Sequence, residues 1–377
     1  MLMLALAALA LWTLVIVLPW RPWGCIERLE VDRAGAESVD DVTVLIPARD
    51  EAAVIGKTLR ALSASNPDLP VIVVDDQSGD GTVDVARAAG LHKLAVVSGT
   101  SPPAGWSGKL WALQQGLERV STPWVLLLDA DIRLAPGMVS VLRRKAGQGF
   151  SLVSLCAEPC WNGVAARWLL PAFVYFFKLL YPFALANRDG SSVAAAAGGV
   201  VLVDRRVLLA CGGFSAWRDA IIDDCTLAAH VKRAGHACYL GLTRGAASLR
   251  STDMGGIVHM VARTAFVQLR ESWWLLLGVS TVMALAFWVP VVAVCVGGAS
   301  VRSLGILAWL AMAACHVPIL RYYRRNLLAA LVLPLTATLF LAMTWYSAWR
   351  ALGGVRSEWK GRRYRRDAGR SPDQSGS

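Results

Sequence analysis

Between Val42 and Asp129 short apolar runs alternate with segments of helical periodicity, and no other feature narrows the possible folds so far. Val42–Pro47, Pro70–Asp75, Lys93–Val97 and Trp124–Asp129 read as strands, with helices expected over Ala52–Ala64, Thr82–Ala89 and Gly108–Val120. Strands joined by helices of this length pair in parallel through right-handed crossovers, which predicts an open α/β sheet. In such a sheet the ligand site lies outside the carboxyl ends of the strands.

The polar residues sit where that site would be. The first strand runs into Pro47-Ala48-Arg49-Asp50-Glu51, the second into Asp75-Asp76-Gln77-Ser78-Gly79-Asp80-Gly81-Thr82, and the fourth into Asp129-Ala130-Asp131. Carboxylates gathered on one sheet edge repel one another unless a cation or a donor-bearing ligand compensates them. Asp129 and Asp131 share a side if the segment is extended. Hard oxygen ligands at that spacing suit Mg²⁺ or Mn²⁺ completed by phosphate oxygens. Alone, the Asp-x-Asp pair fits two solvated loop acids equally well, and Ser78–Thr82 fits a helix-capping turn. The coincidence of three acidic strand ends is what points to a site.

Two further segments carry candidate chemistry. Gly105-Trp106-Ser107-Gly108-Lys109 opens a helix and makes Lys109 a candidate phosphate contact, against the plainer reading of a solvated lysine. It is not a Walker A loop, because Pro103 stands at the first glycine position and Leu110 replaces Ser/Thr; nor is there a Gly-x-Gly-x-x-Gly dinucleotide fingerprint. Ile221-Ile222-Asp223-Asp224 begins an amphipathic helix ending near Gly235. Its acids either complement the helix dipole or supply a general base. Helix is also expected over Pro136–Lys145, and strands over Leu152–Leu155 and Val200–Asp204.

The two ends of the chain differ in kind. With 55% hydrophobic residues and a mean hydropathy of +0.48, the sequence is too apolar for a simple soluble domain. Met1–Trp20 has the length of a membrane span, and Arg21 and Arg28 directly after it place the following domain on the cytoplasmic side. Glu27–Asp41 reads as a linker. Trp168–Ala186 is strongly apolar and is expected to lie on the membrane surface, since a span there would separate Asp131 from Asp224. Residues 254–274 read as an interfacial helix, followed by apolar runs at Leu275–Val296, Leu304–Leu320 and Leu327–Trp349, expected as about three spans within 275–349. The tail Arg350–Ser377 is basic and low in complexity, and is expected to be disordered. Much of the net charge of +11 lies in this region and reads as a cytoplasmic signature, with no nucleic acid as partner. Three spans would put the tail outside, so charge and span count disagree. The eight cysteines form no Cys-x-x-Cys pair and the five histidines no cluster, which argues against zinc.

The ordered set of motifs over Asp41–Gly241 resembles the family 2 glycosyltransferases, which have a GT-A fold. It comprises Pro47–Glu51, Asp75–Thr82, Asp129–Asp131, Gly199 with Arg206 and Gly212–Phe214, and Asp223-Asp224 with Leu227 and Gly235. With the apolar segments and the Gly105–Lys109 loop, the chain looks closer still to the hopanoid-associated glycosyltransferases of bacterial inner membranes. The resemblance implies that Pro47, Arg49 and Glu51 line a nucleotide pocket and that Asp75 or Asp76 meets the base or ribose. Asp129 would face the nucleotide, and Asp131, helped by Asp129, would hold Mg²⁺ or Mn²⁺ at the diphosphate. Asp224 would be the general base, with Asp223 supporting it. The implied reaction is transfer of a single sugar, with inversion, from a UDP- or GDP-sugar to a hopanoid or polyprenyl lipid, perforce at a membrane and beside other lipid-biosynthesis enzymes. Processive members carry Gln-x-x-Arg-Trp before the membrane; here Gln268-Leu269-Arg270-Glu271-Ser272-Trp273 breaks the spacing and counts against a polysaccharide synthase. Arg263 and Arg270 remain candidate diphosphate contacts. A non-catalytic scaffold of the same fold would have no need of the complete set of acids.

Overall fold

The computed structural model describes residues 1–31, 38–353, 355–359 and 362–365. The N-terminal helix α1 (Leu2–Val17) precedes the strand–helix series β1 (Val42–Ala48), α2 (Ile55–Ser65), β2 (Val71–Asp75), α3 (Thr82–Arg87), β3 (Leu94–Ser98), α4 (Gly108–Leu117) and β4 (Trp124–Leu128). Then come β5 (Ile132–Leu134), α5 (Met138–Ala146), β6 (Phe150–Glu158), α6 (Val164–Leu180), α7 (Phe183–Ala186), β7 (Val200–Asp204), α8 (Arg205–Ala210), α9 (Asp223–Arg233) and β8 (Ala237–Ser248). The C-terminal region holds α10 (Met254–Gln268), α11 (Trp273–Met283), α12 (Val289–Val296), α13 (Ala299–Tyr322) and α14 (Leu333–Leu352), then a short ribbon of β9 (Val355–Trp359) and β10 (Arg362–Arg365).

Strands β1 to β8 form one sheet in the order β3-β2-β1-β4-β7-β6-β8-β5. The expected parallel pairing holds for β3, β2, β1 and β4, but β7 runs antiparallel to both β4 and β6, so the sheet is mixed. Strands β1 and β2 are buried along their whole length, as continuous apolar runs covered by helices on both faces should be. One face packs on α2 and α5, the other on α4, α8 and α9. Gly116 of α4 sits directly on the sheet. A Cβ there would collide with the Leu45 side chain and come within 2.8 Å of Val74 Cγ2. Gly116→Ala is therefore expected to destabilise the domain by about 1–3 kcal/mol despite the better helix propensity of alanine, read as a lower melting temperature.

A second apolar layer lies against this domain. It joins α6, α7, α10, α13 and α14 with Trp12 of α1 and Leu240 and Leu242 of β8. This corrects the expectation for Trp168–Ala186: α6 is not a surface helix but is sandwiched, with Leu169, Val174 and Tyr175 buried. Its Lys178 is 1% exposed and pairs with Glu27 at 3.4 Å. Residues 27–29 of the segment read as a linker are likewise tied down, while its residues 32–37 lie outside the described residues. Leu29 N donates to Leu242 O and Leu242 N to Glu27 O, both at 2.9 Å, extending the sheet beside β8.

Among the described residues two helices are long and apolar enough to cross a membrane, Trp273–Val296 and Ala299–Tyr322, each of 24 residues. The first passes through a π-helical turn at Ala284–Trp288, which accommodates Pro290, a residue with no N–H for the ladder. The pair packs closely at Gly305, where a Cβ would meet Ala293 Cβ at 2.8 Å. The third apolar run is divided into a 3₁₀ turn at Leu327–Ala330 and α14. Helix α1 has 16 residues, ending at Val17 rather than Trp20, and is shorter than a bilayer core requires. The interfacial helix is likewise shorter than 254–274: it stops at Gln268, and Arg270 and Glu271 take left-handed φ values of 51° and 55° before α11. Part of the tail forms the antiparallel β9–β10 ribbon instead of being disordered. Residues 354, 360–361 and 366–377 of that expectation lie outside the described residues.

Candidate active site

Strands β2, β1 and β4 are neighbours running in one direction, so their acidic ends meet at one edge. The turn after β4 is held from three sides. Asp129 N donates to Gly199 O at 3.1 Å, Ile132 N to Asp129 O at 3.0 Å, and Thr58 Oγ1 of α2 to Ala130 O at 2.8 Å. Gly198 lets Asp224 approach closely, since its Oδ2 would stand only 3.1 Å from an added Cβ, whereas at Gly199 a Cβ would meet Ile132 at 3.4 Å and the Asp129 carboxylate at 3.9 Å, both ordinary contacts.

The acids divide into three linked groups. In the first, Lys109 reaches from the first turn of α4 between Asp129 (3.0 Å) and Asp223 (3.4 Å), with Asp224 beside them. These residues line a cleft with Pro47, Gly198, Phe214 and Trp217. Lys109 is thus an ion-pair bridge across the cleft, not a solvated lysine. Burial pushes the Asp129 carboxyl up, Asp131 adds to this, and Lys109 opposes it. Burial, then repulsion from Asp223, raises Asp224 to about 6, while Lys109 and the N–H groups of Cys225 and Gly198 hold it lower than it would otherwise be. Asp223 and Asp224 occupy the first turn of α9, where Asp224 Oδ1 accepts from Cys225 N at 2.8 Å. Helix-start acids and cleft acids are therefore the same residues.

In the second group Asp131 accepts from Ser248 Oγ at 2.8 Å and lies 3.5 Å from Arg250 Nε. Arg250 Nη2 also donates to both oxygens of Glu51, at 2.6 and 2.7 Å. In the third, Arg49 Nη1 donates to Asp76 O at 2.6 Å and lies 3.7 Å from the Asp76 carboxylate, which is 1% exposed. Asp75 accepts from Ser78 N at 3.3 Å. The loops after β1 and β2 are fastened together, with Glu51 N donating to Thr82 Oγ1 at 2.8 Å and Gly79 N to Asp50 at 2.9 Å.

Arg263 and Arg270 do not line this cleft. Arg263 lies on α10 with its Nε buried, and Arg270 is exposed in the turn after that helix. Gln268, beside them, accepts from Tyr181 Oη at 2.6 Å, and Tyr181 is within electrostatic reach of Asp224 and Cys225. Ser248 and Arg250 were not legible as site residues. They reach Asp131 only because β5 pairs with β8, aligning Ile132 with Ser248.

The donor set can be tested against a cation. Among the described residues no three His, Cys, Asp or Glu side chains converge as a complete cage. Two cationic side chains, Lys109 and Arg250, instead compensate Asp129 and Asp131. An all-oxygen set of one or two carboxylates fits Mg²⁺ or Mn²⁺, which bind in this way when phosphate and water complete the shell. Asp131 and Asp129 are the residues that would hold it.

Comparison with known proteins agrees with the fold. Residues 40–267 match the family model described as glycosyltransferase like family 2. Over 98 residues the chain is 33% identical to a 4,4'-diaponeurosporenoate glycosyltransferase of Staphylococcus haemolyticus (strain JCSC1435), covering 26% of each chain. Over 91 residues it is 36% identical to the protein of that name from Staphylococcus aureus (strain USA300), covering 24% of each. The matched segment thus spans about a quarter of these curated relatives. A mannosyltransferase from Pyrobaculum calidifontis, solved with GDP-Man and Mn²⁺, shares the fold with a TM-score of 0.56 at 20% identity, over 93% of this chain and 98% of that one. On the match over residues 40–267, the chain belongs to glycosyltransferase-like family 2.

Proposed function

We propose that this protein transfers a single sugar from a nucleotide-sugar to the hydroxyl or carboxyl oxygen of a membrane lipid, with inversion, on the cytoplasmic side of a bacterial inner membrane. The observation that carries the reading is the position of Asp224 at a seam between two apolar cores. Leu227 and Ala228 on one side belong to the core of the sheet domain. Cys225 and Ile222 on the other pack into the layer shared with α6, α10, α13 and α14. An acceptor arriving from the membrane helices would therefore meet the base, while the nucleotide enters from the strand ends.

The residues divide the work. Arg49, Asp75 and Asp76 form the nucleoside end, Pro47 and Glu51 the wall, and Asp129 and Asp131 the diphosphate end. Asp224 takes the proton as the acceptor oxygen attacks the anomeric carbon, and a carboxyl raised to about 6 is mostly ionised yet basic enough near neutral pH. Lys109 keeps Asp223 compensated, so that Asp223 orients the site without competing for that proton. A divalent cation, when bound, would stabilise the charge developing on the leaving diphosphate. An acceptor already ionised, such as a carboxylate, needs no base. The dependence on Asp224 thus separates hydroxyl acceptors, such as hopanoid or polyprenyl alcohols, from acids such as the one for which the staphylococcal relatives are named.

The test is direct. Purified protein in lipid is incubated with UDP- and GDP-sugars and with hopanoid, polyprenyl and carotenoid-acid acceptors, and products are identified by mass. One lipid gaining one hexose from one donor is the expected result. Products with several added sugars would replace the reading with a processive synthase, and absence of any product with all donors would overturn it.

A further inference from the structure

Arg250 closes the donor end of the cleft in a way that the transfer chemistry does not require. Its Nη2 holds both oxygens of Glu51, after β1, while its Nε faces Asp131, after β4. The guanidinium therefore ties together the lips of two adjacent strands. The same Asp131 oxygen also accepts from Ser248 Oγ. A cation can take that oxygen only if the arginine gives it up. We propose that Arg250 is a donor-responsive latch, neutralising Asp131 while the cleft is empty and moving onto the donor's diphosphate when a divalent cation takes its place.

The inference rests on the reading of the cleft as a nucleotide-sugar site. Three observations carry it further. First, the partners differ in freedom: the side chain of Arg250 is 44% exposed, against 10% for Glu51 and 15% for Asp131. The acids are fixed and the arginine is the part able to swing. Second, a planar guanidinium with five donors serves a diphosphate as well as it serves two carboxylates, so leaving Asp131 need not leave it unpartnered. Like charges meanwhile forbid Arg250 and a divalent cation from sharing Asp131 closely. Third, the latch has a lever. Leu249 N donates to Asp131 O at 2.7 Å, and Asp253, three residues beyond Arg250, caps α10 through Gly256 N at 2.7 Å. Helix α10 leads to the span at Trp273. Release of Arg250 therefore acts on the segment that joins the donor cleft to the membrane helices and so to the acceptor side.

The experiment uses the full chain in lipid nanodiscs, as wild type, Arg250→Ala and Arg250→Lys. MnCl₂ alone is titrated and free Mn²⁺ read by electron paramagnetic resonance; UDP and GDP are titrated separately, in saturating MnCl₂ and in EDTA, by calorimetry. Removing the competitor is expected to tighten Mn²⁺ binding roughly 1.5- to 5-fold in Arg250→Ala, the range an exposed ion pair spans. The variant is expected to bind the nucleoside diphosphate in saturating MnCl₂ about 10-fold more weakly, and to lose less in EDTA. Arg250→Lys, which keeps the charge and loses the fork, should stay near wild type for Mn²⁺ and weaken the diphosphate. Hydrogen exchange at residues 249–256 should rise when MnCl₂ and diphosphate are added to wild type and already be raised in Arg250→Ala. Unchanged or weaker Mn²⁺ binding in Arg250→Ala, with a melting temperature showing that it folds, would overturn the latch; if it does not fold, nucleoside diphosphate bound no more weakly by Arg250→Lys than by wild type, with no exchange change in wild type, would do so. Wild type that binds neither UDP nor GDP, with or without Mn²⁺, would instead sink the donor reading and the diphosphate half of the latch, while the Mn²⁺ titration still decides the competition.

Discussion

Asp224→Asn is expected to lower transfer to a hydroxyl acceptor by roughly 10²–10⁴-fold, the contribution a positioned base makes, while changing donor affinity little. The substitution keeps the shape of the side chain and an oxygen able to accept from Cys225 N. It removes the one property the reaction uses. Loss of donor affinity equal to the loss of turnover, measured by calorimetry beside initial rates, would show that Asp224 serves the nucleotide instead. The pH profile gives a second handle. With the wild-type carboxyl raised to about 6, the rate should rise with pH through that value and flatten above it. The linkage to stability has the opposite direction. The folded state holds the proton more tightly than the unfolded chain, whose aspartate titrates near its ordinary value of 3.8. Asp224 therefore favours folding most below pH 4, and that advantage disappears as pH rises from about 4 to about 6. At pH 7.5 the charge is a burden to the fold, set largely by burial and by Asp223. Asp224→Asn removes it, so the inactive variant is expected to melt a few degrees higher at pH 7.5 and about equally at pH 4. A catalytic group that weakens the fold it sits in is what separates this reading from a structural role for Asp224.

What could be read from the sequence followed the range of the interactions that carry it. Strands β1, β2 and β4 are short apolar runs buried on both faces, and local composition suffices to find them. Their acidic ends share an edge because the strands are adjacent, so Asp75, Asp129 and Glu51 were legible together. The antiparallel β7 was visible as a strand, but its direction depends on pairing with β4 and β6. Strand β8, with Gly241, Arg244 and Gly245 inside it, has no simple alternation, and its partners lie at residues 27–29, 132–134 and 150–158. Ser248 and Arg250 were invisible for the same reason. Helix α6 shows another limit. It is apolar enough to lie on a membrane, and periodicity does not distinguish lipid from a layer of protein as its cover. Lys178 decides the matter, because a buried ammonium needs a partner, and Glu27 is supplied by a segment that reads as a polar linker. With α6 packed into this layer, the turn after β4 and the start of α9 meet in one cleft, where Lys109 bridges Asp129 and Asp223 beside Asp224.

Asp131→Ala is expected to uncouple donor binding from the divalent cation. In wild type, Mn²⁺ or Mg²⁺ should tighten UDP or GDP binding; in the variant the affinities with and without cation should coincide, and transfer should fall by roughly 10²–10³-fold, the scale of several kcal/mol of transition-state charge. The structural cost is expected to be small. Arg250 keeps Glu51, and Ser248 loses an acceptor in a place partly open to solvent. Asp131→Asn sharpens the result, since its amide oxygen still accepts from Ser248 while the charge that would attract a cation is gone. If Asp131→Asn retained metal-dependent binding, the cation would have to be held by Asp129, and Lys109, 3.0 Å from it, would then be the side chain displaced. The two aspartates of one turn are thus distinguished by their partners. Asp131 is paired with an arginine that can swing outward into solvent. Asp129 is paired with a lysine whose other partner is Asp223, next to the proposed base. A cation at Asp131 leaves that ion-pair bridge in place, whereas a cation at Asp129 has to displace Lys109 from both aspartates, so the effect of Lys109→Met on Mn²⁺ affinity reports which oxygen the metal takes.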